Sequence, residues 1–150
     1  MSAGPASPFD LPAGKPQERT WDIVVVIAAG GAFGGAARYA MNLAVPGQDA
    51  GFPWHTFLEN VIGSCLMGVL MVMMLEVWAP NRYLRPFLGV GVLGGFTTFS
   101  AYTNEARALL QSEHELLALE YLASSVVACL AGVWAGVAAT RALTTDRRRT

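Results

Sequence analysis

One stretch of the sequence combines glycines and hydroxyls in a way that could coordinate an ion. Residues 91–102 read Gly-Val-Leu-Gly-Gly-Phe-Thr-Thr-Phe-Ser-Ala-Tyr and lie inside an apolar run, 86–104, that has no charged side chain. This composition disfavours a continuous helix, and backbone groups freed at membrane depth must be buried in protein or line a wet cavity. Broken membrane helices commonly coordinate ions, so the carbonyl oxygens of Gly94 and Thr97 are candidate cation ligands. The alternative is a kink that only fits helices together.

Two other apolar segments carry polar side chains at helical spacing. Asn60 is followed one turn later by Ser64, and an Asn amide offers two N–H donors to an anion. The alternative for Asn60 is a hydrogen bond between helices. Tyr121, Ser125 and Cys129 recur every fourth residue, which aligns weak donors along one face of a helix.

Membrane-spanning helices are needed to hold these residues. The chain of 150 residues is 53% hydrophobic and 14% charged, against about 25% charged in soluble domains. Four runs without charge approach the length of about 20 residues that spans a bilayer. We predict an all-α membrane protein with four transmembrane helices over residues 22–45, 56–78, 83–110 and 116–140, the third broken near Gly94–Thr97. The connections are short, so consecutive helices should be antiparallel.

The distribution of basic residues predicts the orientation of these helices. Lys and Arg cluster before span one, between spans two and three, and after span four, at positions 15, 19, 82, 85, 141 and 147–149. By the positive-inside rule, both termini are cytoplasmic. We divide the chain into a disordered tail over residues 1–20, a transmembrane domain over 21–140 and a basic tail over 141–150. The net charge of −1 gives no reason to expect nucleic acid as a partner.

Glycines in the first two spans are spaced for close helix packing. Span one carries Gly30, Gly31, Gly34 and Gly35, and span two carries Gly63 and Gly68. Small residues four apart let two backbones approach each other closely, so we interpret these glycines as packing positions. Four short helices leave little room for an internal cavity, and function is therefore expected to require a second subunit.

The sequence contains no pattern typical of an enzyme. His55 and His114 fall in predicted connections and have no aligned nucleophile. Cys65 and Cys129 lie inside spans, where a thiol behaves as a small apolar group. Arg38, near the end of span one, could reach lipid headgroups or line an electropositive entrance. We predict that the protein is not an enzyme.

Three motifs together resemble those of a known membrane protein family. They are Gly-Gly-Ala-Phe-Gly-Gly-Ala-Ala-Arg-Tyr at 30–39, Thr-Phe-Leu-Glu-Asn-Val-Ile-Gly-Ser at 56–64, and Gly-Gly-Phe-Thr-Thr-Phe-Ser at 94–100 followed by Glu105. Their types and order resemble the small four-helix bacterial fluoride channels called the Fluc or CrcB family. The resemblance covers about residues 22–140.

The resemblance implies an antiparallel dimer with two pores. Fluoride would pass Asn60 and the edges of the rings at Phe99 and Tyr102, and a structural sodium ion would be held by the main-chain carbonyls of Gly94 and Thr97. The whole predicted fluoride pathway comprises Asn60, Thr98, Phe99, Ser100, Tyr102, Tyr121, Ser125 and Arg38. An aromatic ring edge carries positive potential and can face an anion without trapping it.

Four residues depart from the pattern of that family. Glu59 stands where an apolar residue is usual, Tyr102 where Phe is commonest, Cys129 where Ser is usual and His55 where Gly is typical. Because Glu59 is about 100° round the helix from Asn60, it need not face the same pathway.

The predicted function is passive export of cytoplasmic fluoride across the bacterial inner membrane. A chain that inserts in both orientations should have nearly balanced loop charges, and this chain does not. We therefore expect a heterodimer with an oppositely oriented paralogue rather than a homodimer. The alternatives are a small multidrug-type proton-coupled exporter, which relies on a membrane-embedded Glu in its first helix, and a non-conducting membrane subunit.

Overall fold

The structure is a computed structural model that describes residues 20–45, 51–79 and 81–146. Within those ranges the chain forms helices and connecting turns and no strand. Helix α1 covers Trp21–Ala44, α2 covers Trp54–Val77, α3 comprises Pro86–Leu93 and Gly94–Phe96, α4 covers Phe99–Gln111, and α5 covers Glu115–Asp146. The last turn of α2, Met73–Val77, and the first part of α3, Pro86–Leu93, are wound as wider π-helix.

Three helices of the described chain are long and apolar enough to cross a membrane. They are Trp21–Ala44, Trp54–Val77 and Glu115–Thr144, with mean hydropathies of 1.5, 1.9 and 1.9. Only 11% to 22% of their most apolar windows is buried within the chain. Because so much apolar surface faces outward, the helices require lipid or another subunit around them. The protein is a multi-pass membrane protein.

The segment predicted as the third span is divided into pieces. α3 contributes 8 residues and then 3, and α4 contributes 13. Between them Thr97 and Thr98 are extended, with ψ angles of 156° and 125°. Each piece alone is shorter than the about 20 residues that cross a bilayer.

Helix α1 packs against α3 along a seam of glycines. Gly30 and Gly34 are buried, and a Cβ atom added at either would collide with the backbone of α3, at Phe87 and Val92 respectively. Contacts advance in the same direction along both helices, so α1 and α3 are parallel. The prediction that the glycines of span one serve helix packing is confirmed at Gly30 and Gly34.

Helices α2 and α5 form a second parallel seam. A Cβ atom at Gly68 would collide with the carbonyl oxygen of Val133, and one at Gly136 would collide with that of Cys65. Gly63 instead faces the side chain of Thr97, where the helix is interrupted. The closest packing therefore joins α1 to α3 and α2 to α5, each as a parallel pair.

Polar side chains bind the helix ends to one another. Arg141 donates from Nε and Nη2 to Glu76 Oε1, at 2.9 and 2.7 Å, and the Tyr83 hydroxyl donates to Asp22 Oδ2 at 2.8 Å. Helix α5 continues past the predicted end at Thr140 to Asp146. Positions 1–19 of the predicted disordered tail, residues 1–20, and positions 147–150 of the predicted basic tail lie outside the described residues.

Candidate ion-binding groove

Residues from α2 to α5 enclose a groove of about 460 Å³ at the interruption between α3 and α4. Helix α2 contributes Asn60 and Ser64, α4 contributes Phe99 and Tyr102, and α5 contributes Ser125. Its other lining residues are Gly63, Met67, Gly89, Leu93, Gly94, Thr97, Thr98, Val126, Cys129, Leu130 and Val133. The groove is mostly apolar, with a few polar groups that converge on the interrupted backbone.

The Asn60 side chain holds the interrupted backbone in place. Its Nδ2 donates to the Thr98 carbonyl oxygen at 3.0 Å, and its Oδ1 accepts from the Thr98 N–H at 2.9 Å. The Asn60 Oδ1 thus replaces the helical acceptor that the N–H of the extended Thr98 has lost, and Nδ2 adds a second bond to the Thr98 carbonyl. Asn60 does make the hydrogen bond between helices that the sequence left as the alternative to an anion ligand. Its second Nδ2–H is not used in that pairing.

The same interruption releases backbone carbonyls at the end of α3, among them those of Gly94 and Thr97. In a continuous helix, the Thr98 and Ala101 N–H groups would bond to the carbonyls of Gly94 and Thr97. Here the Thr98 N–H bonds to Asn60 Oδ1, and the Ala101 N–H bonds to Thr98 Oγ1 at 3.2 Å. The carbonyl oxygens of Gly94 and Thr97 are therefore among the backbone acceptors that have lost their usual helical donors, and both residues line the groove.

Aromatic rings form one wall of the groove and continue beyond it. The ring centroids of Phe99 and Tyr102 are 5.9 Å apart, and those of Tyr102 and Tyr121 are 5.2 Å apart. The Tyr102 hydroxyl donates to the Leu122 carbonyl at 2.9 Å, which fixes the ring. Phe99 is 77% exposed, so most of its ring is not covered by its own chain.

Ser125 presents an unpaired hydroxyl to the groove. The residue is 4% exposed, and its Oγ has no hydrogen-bond partner among the described residues. A buried hydroxyl without a partner costs about 1–3 kcal/mol. Such a group is available to a ligand in the groove.

Behind the aromatic wall, Glu105 is the centre of a buried polar cluster. Its Oε1 accepts from Thr56 Oγ1 at 2.7 Å and lies 3.1 Å from His55 Nε2. Its Oε2 accepts from the Tyr121 hydroxyl at 2.7 Å. Sequence analysis assigned His55 to a connection, but the residue lies in the first turn of α2. The spacing of the residues gave no signal for the contribution of Thr56.

The structure brings together most of the predicted pathway, but not all of it. Asn60, Thr98, Phe99, Tyr102 and Ser125 line one groove with both candidate cation ligands. The other three predicted residues, Ser100, Tyr121 and Arg38, do not line it. Tyr121 is fully buried and its ring lies behind that of Tyr102. The Ser100 Oγ lies 3.3 Å from the Thr98 Oγ1.

The fold and the groove define a class: a small multi-pass helical membrane protein with a polar and aromatic groove at an interrupted helix. The sequence model of the family described as "CrcB-like protein, Camphor Resistance (CrcB)" matches residues 25–137. The chain belongs to this family, which confirms the resemblance drawn from its three motifs.

Individual relatives carry more specific names. The chain is 50% identical over 104 residues to "Fluoride-specific ion channel FluC 2" of Streptomyces avermitilis. The aligned residues make up 69% of this chain and 66% of that protein. It is 49% identical over 127 residues to a protein of the same name from Nocardia farcinica, covering 85% of this chain and 91% of the relative. It is also 42% identical over 116 residues to "Fluoride-specific ion channel FluC 3" of Streptomyces avermitilis, and this alignment covers 77% of this chain and 57% of the relative.

Proposed function

We propose that the chain is one subunit of a dimeric channel that lets cytoplasmic fluoride leave the cell down its electrochemical gradient. The observation that carries the proposal is the groove, in which Asn60, Ser125 and two aromatic rings converge. The choice of fluoride as the ion is supported by the names of the relatives.

The groove suits a small, strongly hydrated anion that must be bound and then released during conduction. The hydroxyl of Ser125 and the second Nδ2–H of Asn60 can replace part of the hydration shell. The ring edges of Phe99 and Tyr102 add positive potential without a full charge. Neutral donors bind an anion weakly enough to release it, which conduction requires.

A second subunit would complete this pathway. Phe99 lies in the groove and is 77% exposed, so a single chain leaves one side of the route open. An antiparallel partner could cover that ring and supply the facing wall. The outward-facing apolar surface of the helices is available for this contact.

The released carbonyls of Gly94 and Thr97 fit a structural sodium ion. Carbonyl oxygens at an unwound helix are ligands that proteins use for Na⁺, and the bonds of Asn60 and Thr98 leave these two without their helical donors. Two carbonyls from each subunit would give four ligands at a dimer interface. The ion would stabilise the interface and provide a fixed positive charge.

The partner is proposed to be an oppositely oriented paralogue, with both termini of this chain in the cytoplasm. The support is the one-sided distribution of basic residues. Streptomyces avermitilis has at least two relatives of this chain, so paralogues do occur together in one organism.

A proton-coupled exporter is the less favoured function. Exporters of the small multidrug type rely on a Glu in the first helix, and residues 23–44 of this chain contain no acidic side chain. A non-conducting membrane subunit would leave the groove and its unpaired hydroxyl without a use.

Fluoride efflux from liposomes that contain only this chain tests the proposal. The liposomes are loaded with fluoride or with chloride, and efflux is followed with an ion-selective electrode. Selective fluoride efflux supports the channel and contradicts the need for a paralogue. Efflux that begins only when a paralogue is added supports the heterodimer. The channel proposal is wrong if neither preparation passes fluoride although both are folded.

A further inference from the structure

A largely buried cluster of titratable side chains lies beside the groove, between the first turns of α2 and the middle of α4. His55 Nε2 is 3.1 Å from Glu105 Oε1. Glu59, one helical turn after His55, is 1% exposed. His55 and Glu59 of α2 and Glu105 of α4 form this cluster.

Two atoms of this cluster are buried without a hydrogen-bond partner among the described residues: His55 Nδ1 and Glu59 Oε1. With the Nε2–H of His55 directed at Glu105, Nδ1 carries a bare lone pair. A buried acceptor without a donor is costly in a medium of low dielectric constant. Both atoms are therefore places where a proton can bind.

We propose that His55, Glu59 and Glu105 form a proton-binding site, and that proton uptake there increases fluoride efflux through the adjacent groove. The first part stands on the geometry of the cluster. The second part rests on the proposed function.

The charged and titratable groups around this site limit what can take up the proton. Arg38 of α1 acts electrostatically on Glu59 and keeps its charge. From α5, the Tyr121 hydroxyl donates to Glu105, and Tyr102 of α4 lies behind Tyr121.

Groups from α2 and α5 are placed to donate to the Glu105 carboxyl group. It accepts hydrogen bonds from Thr56 and Tyr121 and faces the His55 imidazole. Three donors directed at one carboxyl match the ionised group. The proton is therefore taken up by the pair of His55 and Glu59, with Glu105 as the fixed counter-charge.

A short chain of contacts connects the site to the anion route. Glu105 bonds to Tyr121, the Tyr121 ring lies 5.2 Å from the Tyr102 ring, and Tyr102 lines the groove. A bound proton removes one unit of negative charge from this wall. An anion in the groove is then repelled less by the wall, and the low dielectric constant of the wall makes this change in charge felt in the groove.

Histidine titration by NMR tests the proton site without any use of fluoride. The chain has two histidines, and His114 is exposed, so ¹³C-histidine labelling in detergent gives an internal reference that His114→Gln assigns. Proton uptake at the site should appear as a change of the His55 signal with pH. Glu59→Gln should move its midpoint to lower pH and leave that of His114 unchanged. The site is refuted if His55 keeps one protonation state throughout, or if Glu59→Gln leaves its midpoint in place.

Efflux from liposomes tests the second part. Between about pH 8 and about pH 6, wild-type efflux should rise at least about threefold, whereas efflux through His55→Gln should stay level. His114→Gln is the matched control, and protein-free liposomes measure the leak of hydrogen fluoride. An equal rise in His55→Gln would overturn the coupling. If no preparation passes fluoride at either pH, the proposed function fails and the coupling fails with it, while the NMR titration still decides the proton site.

Discussion

Two regions of the molecule differ in how they accommodate the backbone: one is a close contact between two intact helices, and the other is an interruption of a helix. In the seam between α1 and α3, Gly30 and Gly34 remove side chains so that two intact helices touch. At the interruption between α3 and α4, the backbone leaves the helix, and the side chains of Asn60 and Thr98 take the place of the lost backbone partners. The seam brings two intact backbones into direct contact, whereas the interruption exposes polar groups to a groove.

This difference indicates that the seam stabilises the fold and that the interruption forms the groove proposed to carry the ion. The seam fixes α3 against α1 and so fixes where the interruption begins. The interruption can keep unpaired groups, such as the Ser125 hydroxyl, only because the surrounding helices are held rigidly. We therefore expect substitutions in the seam to reduce stability, and substitutions near the groove to reduce efflux with progressively smaller effects on stability.

The largest effect is expected for Gly34→Ala. The new methyl group would collide with the Val92 carbonyl and come 2.8 Å from the Phe96 backbone nitrogen, and backbone atoms cannot move aside. We predict a loss of about 3 kcal/mol or more in the free energy of unfolding. Thermal unfolding in detergent, followed by tryptophan fluorescence, measures it.

Gly35→Ala is the matched control, because a Cβ atom at Gly35 meets nothing within 4 Å in this chain. Equal melting temperatures for the two variants would contradict the seam.

The sequence predicts the seam better than it predicts the interruption. Charge-free runs indicate α1, α2 and α5, and the spacing of Gly30 and Gly34 indicates close packing, because both signals are local and periodic. The partner of Asn60 lies 38 positions away, and local spacing carries no information on that distance. His55 was wrongly assigned to a connection for a related reason: the bond that joins it to Glu105 is made between helices.

The second largest effect is expected for Asn60→Leu. The substitution removes a donor to the Thr98 carbonyl and the acceptor of the Thr98 N–H, which leaves the Thr98 N–H unpaired. We predict a loss of about 2 kcal/mol in stability and abolished efflux, measured on the same preparations. Ser64→Ala, one turn away in the same groove, is the control. Retention of full efflux in Asn60→Leu would show that the clamp on Thr98 is dispensable.

A smaller effect is expected at the start of α4. Thr98 Oγ1 accepts from the Ala101 N–H and caps this helix. Thr98→Val removes the cap with little change in shape and should cost about 1 kcal/mol, seen as a lower melting temperature. Thr98→Ser keeps the hydroxyl and should restore most of the loss. If Ser and Val at this position were equally stable, the cap would not contribute.

The smallest effect on stability, and the sharpest separation of the two regions, is expected for Ser125→Ala. The Ser125 hydroxyl is buried and has no partner among the described residues, so its removal should change the free energy of unfolding by less than about 0.5 kcal/mol, or raise it slightly. If the hydroxyl instead binds fluoride in transit, efflux should fall about threefold to tenfold, the equivalent of one hydrogen bond. Liposome efflux and melting temperature are measured on the same protein.

Ser124→Ala is the neighbouring control. Its Oγ donates to the Tyr121 carbonyl at 3.4 Å and does not line the groove, so efflux should stay at the wild-type rate. A selective loss of efflux in Ser125→Ala, with both variants equally stable, would show that the unpaired hydroxyl serves the ion rather than the fold. Equal efflux in both variants would instead assign Ser125 to packing, and the anion route would then depend on Asn60 and the aromatic edges alone.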